Sequence, residues 1–326
     1  MSSIYQAVVL ADGPETFWPL DEGTGSSPSD ISGNARHLTL RAGSATWVTN
    51  DDAIGNYFRT RSGELDATHD EQAIAVALAI VKAANPAQVV LVGDNADLPE
   101  FSKYRITPAY QMTTQATIDR CTTLCAELRR AAPNAEIVWL AGNHEERLPN
   151  YLLDNARAAY GLRRGNEPES WPSLSMPDLC RMDEHAITYV PGYPASHHWI
   201  TPRLKVIHGD LVKSNGSTAH AYLGREKTSV IYGHVHRREY AARTRDDHDG
   251  PREVMAATPG CLCRTDGAIP STKGATDLDG RPLYRSEDWQ QGVAVVEYRV
   301  DGTFDYNNVA IIDGHARWSG RDFGAL

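Results

Sequence analysis

The chain has 326 residues, 41% hydrophobic and 23% charged, which suits one large α/β domain with an appendage or two ordinary domains. Its formal net charge of −10 leaves no global electrostatic footprint for nucleic acid or an anionic membrane, although a bound cation can invert the sign locally. Five cysteines, an odd number, argue against a disulfide framework. No apolar run approaches the roughly 20 residues of a membrane span. The opening Met1-Ser2-Ser3-Ile4-Tyr5 lacks a basic and then apolar leader, so a reducing, cytoplasmic setting is expected.

In chain order, residues 1–65 are rich in Gly, Ser, Thr, Asp and Asn. Short alternating segments (Thr16 to Leu20, His37 to Leu40) are separated by turn chemistry at Asp21-Glu22-Gly23 and Ser32-Gly33-Asn34. This pattern predicts a small β-rich region, leaving residues 66–326 for a second domain. Glu71 to Ala84 reads as a helix, capped by Thr68 or Asp70 and stopped at Asn85-Pro86. Gln88 to Val92 is a short apolar strand of the parallel type. Thr113 to Ala132 predicts a second helix and Glu136 to Leu140 the next strand, an alternation typical of βαβ units. From about 150 to 201 the proline-rich chain reads as a loop inserted over the site. Strands follow at Leu204 to Ile207 and Ser229 to Tyr232, and a hairpin around Asp301-Gly302 spans Gly292 to Ile312.

Four short sequences stand where strands end. They are Gly93-Asp94-Asn95-Ala96-Asp97, Gly142-Asn143-His144-Glu145, His208-Gly209-Asp210 and Gly233-His234-Val235-His236. Each sets a metal-capable side chain on the turn leaving an apolar run. A carboxylate, an amide oxygen and imidazoles form a mixed oxygen and nitrogen set, suited to manganese first and to iron, zinc, cobalt or nickel as alternatives, rather than calcium. Two cations about 3.5–4 Å apart would clamp the attacking and leaving oxygens of a phosphoester, with Asp94 able to bridge them, and would acidify water to a hydroxide nucleophile. Asp97 and Glu145 read as residues that orient ligands. Cys261-Leu262-Cys263 resembles half a zinc site with no second pair at ribbon spacing, and His197-His198 reads as a solvated pair.

The order of these blocks resembles the calcineurin-like metallophosphoesterase superfamily, whose pattern is D-x-H, G-D-x-x-D, G-N-H-[DE], H and G-H-x-H. Four of the five blocks occur in order over roughly residues 68–240. The resemblance implies an α/β fold, a layered αββα sandwich, and one or two divalent ions per chain. It implies that Asp94 bridges the metals, that Asn143, His208 and His234 complete one site, and that His236 serves the other. It further implies that His144 faces the phosphate and, with Asp94, forms the catalytic pair. The expected substrate is a phosphodiester or phosphomonoester, nucleic acid or nucleotide included. A diesterase is favoured, because the superfamily's protein phosphatases carry Arg-Gly where Asp97 is followed here by Leu98-Pro99. The Thr68-His69-Asp70 turn and the stretch Val206 to Leu211 are similar to phage-borne members.

The first block, Asp-x-His after an apolar strand, is missing from its place before Thr68. Residues 5–65 instead resemble the opening strands of a concanavalin-like, laminin-G-type sandwich of phage tail proteins, on Ala11 to Pro14, Phe17 to Leu20, Ser32 to Asn34 and Gly55 to Tyr57. Asp66 with His69, or Asp313 with His315, are the candidates for the lost ligands. The other expectation is a catalytically impaired scaffold acting as a binding or virion-associated module.

Overall fold

The computed structural model describes residues 45–48, 57–60, 69–103, 113–247, 250–267, 269 and 287–324. Most of the lectin-like segment, and Asp66 and Thr68 with it, lies outside the described residues. The chain divides into two compact units, Met1–Ala67 and Thr68–Leu326. In the first, β1 (Ala45–Val48) and β2 (Tyr57–Thr60) pair antiparallel.

The second unit is of the α/β class. Helix α1 (Glu71–Ala84) starts where the Asp70 carboxylate accepts the N–H groups of Gln72 and Ala73 at 2.9 and 3.1 Å. It stops at Asn85, whose left-handed φ of 45° closes the last turn onto Val81. Helix α2 spans Thr114–Ala131. Strands β3 (Gln88–Leu91), β4 (Glu136–Leu140) and β5 (Ile187–Val190) form one parallel sheet in that order. Helices α3 (Arg147–Asn155) and α4 (Met176–Leu179) lie in the connection between β4 and β5. The second sheet runs β6 (His197–Thr201), β7 (Leu204–Ile207), β8 (Ser229–Tyr232), β10 (Gly250–Pro259), β9 (Arg238–Asp247), with helix α5 (Thr218–Arg225) between β7 and β8. Within it β7, β8 and β10 are parallel, and β6 and β9 antiparallel to their neighbours. Two hairpins end the chain, β11 (Gly292–Tyr298) with β12 (Phe304–Ala310) and β13 (His315–Trp318) with β14 (Arg321–Gly324).

Strand alternation sorts the core. On β4, Ile137 and Trp139 pack with Ile118, Cys125 and Leu128 of α2, while Val138 and Leu140 turn the other way. There they meet Leu204 and Val206 of β7, Ile231 of β8, and Met255 and Ala257 of β10, so one apolar cluster joins the inner faces of both sheets. The outer face of the second sheet, with Val230, Tyr232, Val254 and Ala256, packs on Ala219, Tyr222 and Leu223 of α5.

The stretch from about 150 to 201 departs from the loop expectation. It contributes β5 to the first sheet and β6 to the second. Four- and five-residue strands between prolines are too short to show a period, and their pairing is decided by sheet neighbours. His197 is exposed at the start of β6, as expected of a solvated pair, whereas half-buried His198 approaches Gln88 at 3.5 Å. Among the described residues no helix is long and apolar enough to cross a membrane.

Candidate metal centre

The four blocks lie just past the C-terminal ends of β3, β4, β7 and β8, two from each sheet. Parallel strands end side by side, so residues distant in sequence converge there. Gly233 N–H donates to the His208 carbonyl at 2.9 Å, which ties the ends of β7 and β8 together. Gly93 (φ +90°) and Gly142 make the approach of the first two turns possible. A Cβ on Gly93 would stand 2.6 Å from His208 Nδ1, and one on Gly142 would stand 2.3 Å from Asp94 Oδ1.

Glu145 organises the carboxylate side. It is 1% exposed, and its carboxylate accepts the N–H groups of Asp94 (2.9 Å), Asn95 (2.8 Å), Ala96 (3.3 Å) and Gly142 (2.9 Å), with the Trp139 indole N–H at 3.2 Å. One buried anion thereby fixes both turns by charge-assisted hydrogen bonds. Asp94 Oδ1 accepts the His144 N–H at 2.8 Å, leaving Oδ2 directed at the histidines.

His208 Nδ1 lies 2.7 Å from the carbonyl of Val92, which can only accept, so Nδ1 carries the hydrogen. The opposite nitrogen, Nε2, is then a lone pair in the neutral ring. It faces Asn143 Oδ1 at 3.1 Å and Asp94 Oδ2 at 3.2 Å. Two acceptor atoms facing this lone pair make a place that a positive charge satisfies, either a proton on His208 or a metal ion. The ligand atoms of Asp94, His208 and His234 all lie within 4.8 Å of one another, so these three could hold an ion. His234 Nδ1 is buried and has no hydrogen-bond partner, an orphan that an ion would satisfy. Asp94, His234 and His236 have positive φ values of 56°, 69° and 57°. Non-glycine residues are seldom held there, and such outliers concentrate at functional sites.

Electrostatics separate the histidines. Burial opposes charge on His208, but the hydrogen bond and charge of Asp94 outweigh it and raise its pKa above the usual range. His144 is also raised, against its own burial, by Asp94 and by Asp97, whose Oδ1 sits 2.8 Å from His144 Nδ1. Asp97 is in turn held by Arg147 at 2.9 Å. Burial lowers His234, aided by the charge of His208, and brings His236 down to about 4. The Asp94 carboxyl lies well below the usual carboxylate range despite burial, because His144 and His208 favour its charge.

The expected site residues thus gather as follows. Asp94, Asn143, His144 and His208 are linked by contacts of 2.8–3.7 Å, and His234 joins through its ring, 5.2 Å from that of His208. His236 is outside the three-residue group; its ring packs edge-on to Trp289 at 4.5 Å. No protein-family model, curated protein or solved structure matches this chain.

Of the two candidates for the missing block, Asp66 lies outside the described residues, and His69, Asp313 and His315 are not in the three-residue group. His69 Nε2 bonds the Glu71 carboxylate at 3.0 Å, and its backbone bridges Cys263. Asp313 is exposed in a turn, Gly314 rests on Gln72, and His315 begins β13. The Cys261 thiol donates to the Gln290 carbonyl at 3.6 Å, and no group of three metal-type residues includes Cys261 or Cys263 among the described residues. Sequence reasoning passed over Tyr193 and Trp289, whose rings pack on His208 and His236. Tyr193 could have been noticed in Pro191-Gly192-Tyr193-Pro194, a rigid turn directly after a strand.

Proposed function

We propose that the chain is a metal-dependent phosphoesterase of the calcineurin-like metallophosphoesterase superfamily, built as a layered αββα sandwich and cleaving a phosphodiester in preference to a phosphomonoester. The carrying observation is that Asn143 Oδ1 and Asp94 Oδ2 both lie within 3.2 Å of His208 Nε2, with His234 completing the group. This donor set fits manganese or another divalent transition metal. A bound ion would polarise a phosphoryl oxygen and acidify water. Asp94, Asn143, His208 and His234 would hold that ion. His144, raised in pKa and steadied by Asp97, carries a proton at Nε2 that can pass to the leaving oxygen. Buried Glu145 keeps the two turns in register.

A second reading, a binding scaffold without turnover, is favoured by one observation. Among the described residues only one three-ligand group forms, and His236 is not in it. The test is hydrolysis of bis-p-nitrophenyl phosphate and p-nitrophenyl phosphate with added manganese, in wild type, Asp94→Ala and His144→Ala. The phosphoesterase reading expects faster diester cleavage, lost in both variants. Folded wild type that cleaves neither ester across a metal series leaves the scaffold.

A further inference from the structure

Two aromatic rings stand against the histidines without belonging to the ligand set. Tyr193 lies edge-on to His208, with ring centroids 5.6 Å apart, and Trp289 lies edge-on to His236 at 4.5 Å. Both side chains are half-buried, so each touches the cluster yet keeps surface available.

Their placement is built into the fold from two separate segments. Ala141, which leads into the Gly142 turn, donates its N–H to the Val190 carbonyl at 2.9 Å, and its own carbonyl accepts the Ser196 hydroxyl at 3.0 Å, clamping the segment that carries Tyr193 from both sides. The turn after β5 is thereby fastened to the turn after β4. Trp289 precedes Gln290, whose N–H donates to the His236 carbonyl at 3.0 Å and whose Oε1 accepts the Arg238 N–H at 3.2 Å. Each aromatic residue is therefore locked to the backbone of a ligand-bearing turn. A group needed only to cover the histidines would not require such tethers, since aliphatic residues shield equally well. Flat rings fixed beside a phosphate-handling site supply stacking platforms for flat substituents.

We propose that Tyr193 and Trp289 are specificity-determining residues that stack the bases of a nucleoside phosphodiester, so that the substrate is a single-stranded nucleic acid or its nucleotide fragments. This rests on the phosphoesterase reading above. The chain's net charge of −10 makes it stacking, rather than a basic surface, that would retain the strand.

The test compares the p-nitrophenyl ester of thymidine 5′-phosphate with ethyl p-nitrophenyl phosphate, which share a leaving group and differ only in the base-bearing half. The wild type should prefer the nucleoside ester by roughly tenfold or more in kcat/KM. Tyr193→Ala and Trp289→Ala should each pull that ratio toward one, mainly through KM, and Trp289→Phe should restore most of it. A wild-type ratio near one, or a ratio unchanged in both alanine variants, overturns the inference while leaving the phosphoesterase reading standing. Anisotropy of a fluorescent thymidine hexamer decides the matter even if neither ester is cleaved. Binding weakened in both alanine variants supports stacking; absent binding, or binding equal to wild type in both, overturns it. Circular dichroism confirms that the variants are folded.

Discussion

The two halves of the candidate centre are held by opposite means. On the side of β3 and β4, the Glu145 carboxylate takes four backbone N–H groups and an indole N–H. On the side of β8, His234 and His236 sit at left-handed φ values, their pKa values depressed by burial, and His234 Nδ1 lacks a partner. The frame around Glu145 is complete as folded protein; the donor atoms that face His208 Nε2, together with His234, are satisfied only with a positive charge in their midst. A metal site needs both, a rigid frame and donors kept unprotonated for the ion.

Breaking the frame should have the largest effect. Glu145→Ala leaves several buried N–H groups without an acceptor and should destabilise the protein by about 3–5 kcal/mol, read from denaturant midpoints. If the midpoint barely moves, the frame is not what holds these turns. Breaking the ligand set should remove ion binding instead. Asp94→Ala is expected to cost more than about 100-fold in manganese affinity, exceeding the roughly 10–100-fold typical of residues that merely support a ligand, such as Asp97→Asn.

Proton competition sharpens the same contrast. An ion can take His208 Nε2 only when that nitrogen is unprotonated, and Asp94 raises the His208 pKa above its ordinary value. Manganese affinity should therefore be flat above that raised pKa and fall by about tenfold per pH unit below it. Isothermal titration in buffers of different ionisation enthalpy would show the released proton, and pH-independent affinity from 5 to 8 would refute the His208 assignment.

The smallest effect concerns Glu71, away from the ligands. Its carboxyl is lowered to about 2 by the hydrogen bond from His69 and by Arg120. A depressed carboxyl stabilises the fold above its unfolded value, near 4.5, and loses that contribution as pH falls toward about 2. Because the side chain is 36% exposed, Glu71→Gln should flatten the acid limb of stability by less than about 1 kcal/mol.

Much of this architecture was legible in the residues. Helix α1 has the predicted limits because its period, the Asp70 cap and the Asn85 stop all agree. Strands β4, β7 and β8 match as well, since buried parallel strands are short continuous apolar runs bounded by turn residues. The ligand-bearing turns were visible for the same reason. Illegible were β5 and β6, hidden among prolines, and the long ribbon of β9 and β10, where alternation is broken by charged residues such as Arg243, Arg245 and Arg252. Glu145 was readable as an orienting residue, but its hold on Asp94, Asn95 and Ala96 spans about fifty positions, and no local pattern encodes a contact of that separation. Tyr193 and Trp289 escaped on the same ground.

The most direct test of the central claim is a calorimetric titration of manganese into metal-free wild type, Asp94→Ala and His208→Ala. The account predicts one tightly held ion per wild-type chain and no comparable binding in either folded variant. Equal binding in all three, or none in folded wild type, would contradict it.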